Sequence, residues 1–455
     1  MCGIYGVMGE AAVCASQVQM LAHRGRDAAG YLLDGNLYEG ALTEDLQCAT
    51  GCFVHFLHAM VGHVPQPMLE ESDWFVANCE IYNWMTMGDG ESRNDAEAFF
   101  TLLRRYGVAG LSVVDGDYAC AWKHGEDVLL FRDPIGVKPL WWYVEDGVLR
   151  FASENKALGG KGALLNPSTI LRFRNGEVEM QERQVFEAAP ELDDSEGLIV
   201  GDLRELLQEA VEKRLAGVQR VGILFSGGID SVLIAKLAKD LGKEVLLFTA
   251  GHEDAADVAW AKEAAEDLRL PLYVATETEE SAIRQAIQDI KRIIGSDNYV
   301  KVSVALPFYF SLRLAAQHRL KVVMTGLGSE ELFAGYQRHV EATDINRECR
   351  TGLRAIHERD LSRDDALAMH YGMELRLPLL DLELARFALQ IPASLKIRGD
   401  VKKYIIRKTA LICGIGEKYA MRPKKAAQYG SGYDKLLGRM ARKADLKKQD
   451  LVRSL

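Results

Sequence analysis

Residues 221–237 read VGILFSGGIDSVLIAKL, and this stretch decides the fold of the second half of the chain. VGILF predicts a short buried strand, and the residues after it predict a helix. Between them, Ser226, Gly227 and Gly228 can turn sharply and bring backbone N–H groups to a phosphate at the helix N-terminus. Asp230 suits a Mg²⁺ ion that is itself bridged to phosphates. A plain strand-to-helix turn also favours glycine and serine, but the full string in this context favours a nucleotide loop.

The sequence around this loop continues the same alternation of strand and helix. From about residue 200, strands alternate with helices of ten or more residues, which predicts a parallel sheet covered on both faces. The strands read VGILF, EVLLFT, PLYVAT and KVVMTG, and the helices include LRELLQEAVEKRLAG, SVLIAKLAKDLG and DVAWAKEAAEDL. Ligands of such sheets bind at the carboxyl ends of the strands.

The first half of the chain has a different pattern of apolar residues. Short apolar runs broken by turns, as in WFVANCEIYNW and YACAWKHGEDVLLFRDPIGVKPLWWY, predict antiparallel hairpins, and DAEAFFTLLRRYG predicts one helix among them. The acidic stretch FEAAPELDDSEG suits a linker. We therefore predict two domains, spanning residues 2–185 and 200–455.

Composition narrows the function classes. The chain has 455 residues, 48% of them hydrophobic, and a net charge of -10, which argues against a general nucleic-acid or membrane-surface binder. The eight cysteines form no regular framework, so we expect reduced thiols. We find no secretory signal and no apolar run of the ~20 residues that cross a bilayer. We expect a cytoplasmic protein.

The N-terminal MCGIYG raises a second chemical possibility. If Met1 is removed, Cys2 carries both a thiol and a free amine, and the amine can favour the thiolate nucleophile. Alone this signal is weak, because many proteins have a cysteine near the N-terminus by chance.

Several motifs together resemble known families. SGGIDS resembles the signature of the ATP pyrophosphatase (PP-loop) superfamily, which cleaves ATP to AMP and pyrophosphate, whereas the Walker loop is absent. MCGIYG, HRGRD, NCEIYN and RNDAE resemble class II glutamine amidotransferase domains, which are N-terminal nucleophile hydrolases. In this order they are similar to the glutamine-dependent asparagine synthetase family over nearly the whole chain. The resemblance implies an α+β N-terminal αββα sandwich followed by a parallel-sheet α/β ATP pyrophosphatase domain.

For the first domain, the resemblance implies that Cys2 attacks the glutamine carboxamide and releases ammonia. Asn78 and the backbone N–H of Cys79, which replaces the family's usual glycine, would stabilise the oxyanion. Glu80 and Asp95 would bind the α-amine of glutamine.

Two segments of the first domain depart from the family's pattern. The H-R-G-x-D turn is matched by His23, Arg24, Gly25 and Asp27, although Arg26 stands where the family has proline. The segment that carries the family's carboxylate-binding arginine reads VHFLHAMVG, without an arginine. His58, a weaker partner than a guanidinium, or a residue from elsewhere would have to replace it.

For the second domain, the resemblance assigns three sets of residues. The pyrophosphate and Mg²⁺ loop is Ser226, Gly227, Gly228, Asp230 and Ser231; the adenosine pocket is Leu224, Phe248, Thr249 and Ala250; and the second glycine turn is Gly326 and Gly328, with Glu331 as a further metal carboxylate. Lys424, with Lys425 as a stand-in, would neutralise the α-phosphate as pyrophosphate leaves. We interpret four further matches mainly as structural contacts: Asp365, Glu374, Arg376 and Asp381.

The departures cluster where the acceptor acid would bind. Leu327 stands where the family has a glutamate thought to assist ammonia attack, and leucine cannot take a proton from an amine. Ser303 stands at the family's arginine position, and nearby Lys301 could bind an acid's carboxylate.

The resemblance therefore implies an ATP- and Mg²⁺-dependent amide synthesis. Glutamine or ammonia supplies nitrogen through an internal passage, and aspartate is the leading acceptor, with another carboxylic acid as the first alternative. A non-catalytic paralogue that binds nucleotide is the second alternative, favoured by Leu327 and the missing arginine. We expect small-molecule partners, no nucleic acid and no membrane. A homodimer is the assembly that we consider.

Overall fold

The computed structural model describes residues 2–87, 90–422 and 427–455. The chain divides into two compact units, Met1–Val185 and Phe186–Leu455. All eight cysteines are free thiols.

The described residues of the first unit form two large antiparallel sheets and one two-stranded sheet. One has the strand order β13-β11-β12-β1-β6-β3-β4 and the other β15-β14-β10-β9-β8-β7, while β2 pairs with β5. The strands are β1 (Gly3–Met8), β2 (Ala11–Val13), β3 (Ala28–Leu33), β4 (Asn36–Glu39), β5 (Leu46–Cys48), β6 (Gly51–Leu57), β7 (Met68–Glu70), β8 (Asp73–Ile81), β9 (Gly116–His124), β10 (Asp127–Arg132), β11 (Trp141–Glu145), β12 (Val148–Ala152), β13 (Ala163–Leu164), β14 (Thr169–Arg174) and β15 (Glu177–Glu182). The helices are α1 (Ala15–Gln19), α2 (Trp84–Met87) and α3 (Asp95–Tyr106).

Three apolar layers hold this unit together. Ile4, Phe53 and Trp74 belong to the core between the sheets. Alternate residues of the same strands face outwards, where one sheet packs on α1 and the other on α3 through residues such as Val18 and Phe99. The predicted αββα sandwich is confirmed.

The second unit is built on a parallel sheet with the order β18-β17-β16-β19-β20 in its described part, beside a small hairpin, β21-β22. Its strands are β16 (Arg220–Leu224), β17 (Glu244–Ala250), β18 (Leu272–Ala275), β19 (Val322–Met324), β20 (Glu374–Arg376), β21 (Ile397–Arg398) and β22 (Val401–Lys402). Six consecutive residues of β17 are buried, as expected for a strand covered on both faces. The predicted parallel α/β architecture is confirmed.

Helices cover this sheet and extend beyond it. They are α4 (Glu196–Arg214), α5 (Ile229–Asp240), α6 (Ala256–Leu268), α7 (Glu280–Ile294), α8 (Tyr299–Ala316), α9 (Ser329–Leu332), α10 (Gln337–Glu341), α11 (Ile345–Ile356), α12 (Ser362–His370), α13 (Leu382–Gln390), α14 (Ala393–Lys396), α15 (Tyr404–Ile412), α16 (Glu417–Ala420), α17 (Ala427–Gly430), α18 (Tyr433–Lys443) and α19 (Lys448–Ser454). No helix among the described residues is long and apolar enough to cross a membrane.

The segment interpreted as a linker is more ordered than its composition suggests. The Glu191 carboxylate accepts hydrogen bonds from the Asn346 side chain at 2.7 Å and from the backbone N–H of Ala393 at 3.0 Å. Ser195 then caps α4, whose first turn lies inside the acidic stretch. Polar contacts and a helix cap therefore tie this segment to the second unit.

Candidate active sites

Cys2 lies directly before β1, a central strand of its sheet. Its backbone N–H donates a hydrogen bond to Oδ1 of Asn78 at 2.9 Å, and the residue is only 6% exposed. Because β1 is paired on both sides, by β6 and β12, the backbone that carries the thiol is held firmly.

The H-R-G-x-D turn fixes the carbonyl side of Cys2. The fully buried Arg24 donates from Nε to the Cys2 carbonyl at 3.2 Å and from Nη1 to Glu154 at 2.8 Å, and His23 contacts the same carboxylate at 2.9 Å. Burial raises the pKa of Glu154, but the His23 hydrogen bond and the Arg24 charge outweigh it and hold that pKa well below its usual range. Glu154 therefore stays ionised and locks Arg24.

The rest of this turn shapes the neighbouring strand and loop. A Cβ on Gly25 would lie 2.2 Å from the carbonyl oxygen of Phe56, so only glycine lets β6 pass. Asp27 accepts a hydrogen bond from the N–H of Ala59 at 2.8 Å, which anchors the loop after β6. Arg26 is exposed, so its difference from the family's proline changes no buried contact.

Strand β8 brings the predicted oxyanion donors to Cys2. With Oδ1 of Asn78 occupied by the Cys2 N–H, its Nδ2 is a buried donor without a hydrogen-bond partner among the described residues. That is the state expected of a donor reserved for a developing negative charge. Cys79 lines the same pocket as Cys2; burial and the nearby charge of Asp95 raise its own thiol pKa well above the usual range, so this thiol stays protonated.

Glu80 and Asp95 also line this pocket. Asp95 lies in the first turn of α3 and accepts hydrogen bonds from the N–H groups of Ile81 at 3.0 Å and Ala96 at 2.9 Å. The structure thus brings together Cys2, Cys79, Glu80, Asp95 and His58.

In the second unit, the loop after β16 turns sharply towards α5. Gly227 has φ +64°, and a Cβ there would lie 2.6 Å from the backbone of Trp260, so both conformation and space require glycine. The N–H of Gly228 donates to Oγ of Ser226 at 3.3 Å, and the hydroxyl of Ser231 donates to the Gly228 carbonyl at 3.0 Å. The loop is a preformed turn at a helix N-terminus, which favours anions.

Asp230 connects this loop with the second glycine turn through direct contacts. It accepts a hydrogen bond from the Ser329 hydroxyl at 2.6 Å, and a Cβ on Gly326 would lie 2.5 Å from its own Cβ. Lys403 donates to both carboxylate oxygens at 2.7 Å and also contacts Glu330 at 3.2 Å. Sequence reasoning missed Lys403, whose one signal is a lysine placed just before an apolar helix.

A second missed residue holds the loop from the other side. Arg422 donates to the carbonyl of Ser226 at 3.0 Å and to Asp257 at 2.6 Å, and its guanidinium lies 5.0 Å from the ring centroid of Trp260. Its only sequence signal is the basic stretch R-P-K-K. Lys424 and Lys425 of that stretch lie outside the described residues.

The predicted adenosine residues lie at the ends of β16 and β17. Leu224 is half-buried, and Thr249 and Ala250 are buried. The ring of Phe248 is fully buried and stacks on Tyr273 at 5.4 Å, while its carbonyl accepts from the N–H of Phe225 at 2.7 Å. Phe248 therefore serves the core with its ring and can meet a ligand only through its backbone.

Glu331 does not share the environment of Asp230. Its carboxylate is fully buried and pairs with Arg359, and burial raises its pKa. Gly328, at the start of α9, has φ +98° and packs against Leu380. In the described ranges, no group of three or more His, Cys, Asp or Glu side chains is placed to hold a metal ion.

The residues of the predicted acceptor region form hydrogen bonds with different parts of the second unit. Leu327 is half-buried and donates its N–H to Thr325 at 3.2 Å. The hydroxyl of Ser303 donates within α8 to Val300 at 3.1 Å, and Lys301 donates to the Glu358 carbonyl at 3.1 Å. Four other matches are buried: Asp365, Glu374, Arg376 and Asp381.

Three of those four matches make buried polar contacts around α4 and β20. Arg376 pairs with Glu374 at 3.1 Å within β20 and donates to the carbonyl of Arg214 at 2.6 Å, and Arg214 pairs with Asp381 at 2.9 Å. Asp381 also caps α13.

Two protein-family models match different parts of the chain. The asparagine synthase family model matches residues 202–344 and 339–452, and the glutamine amidotransferase domain model matches residues 1–205. The chain is similar to a putative glutamine-hydrolyzing asparagine synthetase of Methanocaldococcus jannaschii, with 31% identity over 99% of this chain and 97% of the relative.

More distant proteins are also similar. Human glutamine-hydrolyzing asparagine synthetase is 27% identical over 94% of this chain and 84% of its own length. Among solved structures, the glutamine phosphoribosylpyrophosphate amidotransferase of B. subtilis, complexed with ADP and GMP, covers 62% of this chain and 70% of its own at 16% identity, with a TM-score of 0.36. A TM-score this low does not indicate a shared overall arrangement.

Proposed function

This chain belongs to the asparagine synthase family, and we propose that it synthesises an amide from a carboxylic acid, ATP and glutamine-derived ammonia. The leading reaction converts aspartate, glutamine and ATP to asparagine, glutamate, AMP and pyrophosphate. The observation that carries the proposal is the Cys2–Asn78 arrangement in a chain whose other half matches asparagine synthase.

In the first unit, Cys2 is the nucleophile that attacks the donor carboxamide. Its thiolate forms a thioester as the carbon–nitrogen bond breaks and ammonia leaves, and water then hydrolyses the thioester. The buried Nδ2 of Asn78 and the N–H of Cys79 stabilise the oxyanion. Arg24 acts at a distance by fixing the carbonyl of Cys2.

In the second unit, the Ser226–Gly228 turn binds the phosphates of ATP through backbone N–H groups. The acceptor carboxylate attacks the α-phosphorus, pyrophosphate leaves, and ammonia then displaces AMP from the adenylate. Lys403 and Arg407 add positive charge near Asp230, which favours the departing pyrophosphate. Lys424 is the proposed partner of the α-phosphate.

Asp230 is the residue that would hold Mg²⁺. A magnesium ion bound with ATP needs one or two protein carboxylates because phosphate oxygens and water complete its shell, so a single buried Asp230 fits this requirement. Lys403 pairs with this carboxylate, so Mg²⁺ would have to share it with the lysine or displace the lysine. When bound, Mg²⁺ would supply charge neutralisation to the triphosphate. Asp230 is favoured over Glu331 because it lies in the first turn of α5, directly after the Ser226–Gly228 turn.

A second candidate function is amide synthesis on another carboxylic acid. Leu327 and Ser303 favour it, because both replace the polar groups that the family uses near its acceptor. Lys301 remains the proposed carboxylate-binding residue for either acid.

Product analysis tests the proposal. The full chain is incubated with MgATP, ammonium or glutamine, and aspartate or a panel of other acids, and the products are identified by mass spectrometry. We expect asparagine, AMP and pyrophosphate in equal amounts. A different amide would select the second candidate, and release of no pyrophosphate with any acid would refute both.

A further inference from the structure

The first turn of α8 is tied to the segment that contains α18 and α19. The Tyr299 hydroxyl donates to the carboxylate of Asp434 in the first turn of α18. Lys448, the first residue of α19, donates to both oxygens of the same carboxylate at 2.8 Å. Burial raises the pKa of Asp434, but the hydrogen bonds from Lys448 and Tyr299 outweigh it and hold that pKa below its usual range. Asp434 therefore stays ionised and keeps Tyr299 in place.

Gln449 holds the backbone of the same turn. Its Oε1 accepts a hydrogen bond from the N–H of Tyr299 at 2.9 Å, and its Nε2 donates to the Asp297 carbonyl at 2.9 Å. The helix that carries Gln449 is itself fixed, because Lys291 on α7 donates to the Val452 carbonyl at 2.9 Å. The start of α8 is therefore held through both its backbone and a side chain.

The start of α18 lies at the carboxyl end of β17. The carbonyl of Ser431 accepts a hydrogen bond at 2.9 Å from the N–H of His252, which follows the last residue of β17 by two positions. A Cβ on Gly251 would lie 2.8 Å from the same carbonyl oxygen, so the two segments are in close contact. Ligands of parallel sheets bind at this end of the strands. The contact between Asp434 and Tyr299 therefore connects α8 with the ligand-binding edge of the sheet.

The turn that these contacts hold carries two residues of the predicted acceptor region. Lys301 lies two residues after Tyr299, and its ammonium group has three hydrogens to donate, one of which the Glu358 carbonyl accepts at 3.1 Å. Ser303 lies about one helical turn after Tyr299 and is buried. A shift of this turn would therefore move a cation at the predicted acceptor site and leave the Ser226–Gly228 turn unchanged.

We propose that Tyr299, Asp434 and Gln449 are positioning residues for the acceptor acid. They hold the first turn of α8 so that Lys301 meets a carboxylate of that acid at the ligand-binding edge of the sheet. This inference rests on the proposed function. A site that is ordered before binding loses less entropy when the ligand binds, so loss of these contacts weakens binding of the acid more than binding of ATP.

Tyr299→Phe tests the proposal because it removes only the hydroxyl. AMP release by the full chain is measured with ammonium as the nitrogen source, while either the acid or MgATP is varied and the other is saturating. L-Aspartate is the first acid, and the panel of the product analysis supplies the others. We expect KM for the acid to rise by about tenfold, the size of one lost hydrogen bond to a charged group. kcat and KM for ATP should stay unchanged.

Tyr309→Phe is the matched control, because Tyr309 lies on the same helix and its hydroxyl also donates to a carboxylate, that of Asp289, at 3.0 Å. It should leave KM for the acid unchanged. Gln449→Ala removes the backbone contacts and should raise KM for the acid as Tyr299→Phe does.

The outcomes separate this inference from the proposed function. If the wild type forms an amide, an unchanged KM for the acid in Tyr299→Phe or in Gln449→Ala overturns the inference alone, and so does an equal rise in Tyr309→Phe. If the wild type releases no AMP with any acid, the proposed function is refuted and this inference is refuted with it.

Discussion

The donor pocket and the nucleotide loop differ in whether their polar groups already have partners. At Cys2, backbone contacts hold the nucleophile, and the buried Nδ2 of Asn78 has no hydrogen-bond partner among the described residues. At Asp230, the carboxylate is already bound by Lys403 and Ser329. The first site is thus preorganised for a neutral carboxamide, whereas the second has paired charges that a charged ligand must rearrange.

The largest expected effect separates the two sites. Cys2→Ala should lower glutamine-dependent amide synthesis by at least about 10⁴-fold, because it removes the covalent step. Ammonia-dependent synthesis should persist, since the nucleotide loop is untouched. Product formation with either nitrogen source measures both, and Cys14→Ala, at a half-buried thiol outside the pocket, is the control. Equal loss with both nitrogen sources would break the comparison.

Asn78→Ala tests whether the donor pocket is preorganised. Loss of one oxyanion donor should lower kcat for donor hydrolysis by about 10²- to 10³-fold. Ammonia-dependent synthesis should again be unchanged. Asn83→Ala, which changes an amide in the turn after β8, is the matched control. A change in KM for the donor with kcat preserved would contradict the assigned role.

The paired charges at Asp230 are best tested by a double-mutant cycle. Lys403→Met leaves Asp230 and Glu330 without their shared cation, so the free energy of unfolding should fall by about 3 kcal/mol. Combined with Asp230→Asn, the loss should be smaller than the sum of the two single losses. Urea unfolding of the four proteins measures the coupling, with Lys402→Met as the control. Additive losses would show that the pair is not coupled.

Arg422 tests how the loop is positioned. Arg422→Ala removes the contacts with Ser226 and Asp257, so KM for ATP should rise by about tenfold, the size of one lost charged hydrogen bond. Arg422→Lys should raise the KM for ATP by less than Arg422→Ala does, because an ammonium can keep one of the two contacts. Initial rates of pyrophosphate release provide the measurement. A purely structural role predicts instead a lower Tm with an unchanged KM.

The smallest effect concerns a buried neutral group in the first unit. His55 is fully buried, and desolvation lowers its pKa to about 3. Below about pH 6.5 the unfolded chain binds a proton at His55, whereas the folded chain does not. The free energy of unfolding therefore decreases as the pH is lowered, by about 1.4 kcal/mol per pH unit.

His55→Gln should remove that part of the pH dependence. Urea unfolding between pH 7 and pH 5 compares the two slopes, with the exposed His63→Gln as control. Parallel curves for wild type and His55→Gln would contradict a buried, neutral His55.

The elements and site residues that depend on a local sequence pattern can be predicted from the sequence. The alternation around SGGIDS predicts the parallel sheet, and the spacing of NCE on one strand places Asn78 beside Cys79. Lys403, Arg422 and Glu154 were not predicted, because they lie 173, 196 and 130 residues from their partners Asp230, Ser226 and Arg24. Only the tertiary fold creates such pairs. The polar contacts of Glu191 likewise arise from packing, which an acidic composition does not reveal.

The central claim is that this chain activates a carboxylate as its adenylate before ammonia attacks. The most direct measurement uses aspartate labelled with ¹⁸O in its side-chain carboxylate, together with MgATP and ammonium, and follows the label by mass spectrometry. Because a carboxylate oxygen attacks the α-phosphorus and leaves with it, each asparagine formed should yield one AMP that carries one ¹⁸O. Unlabelled AMP, or label in a released phosphate, would contradict the account.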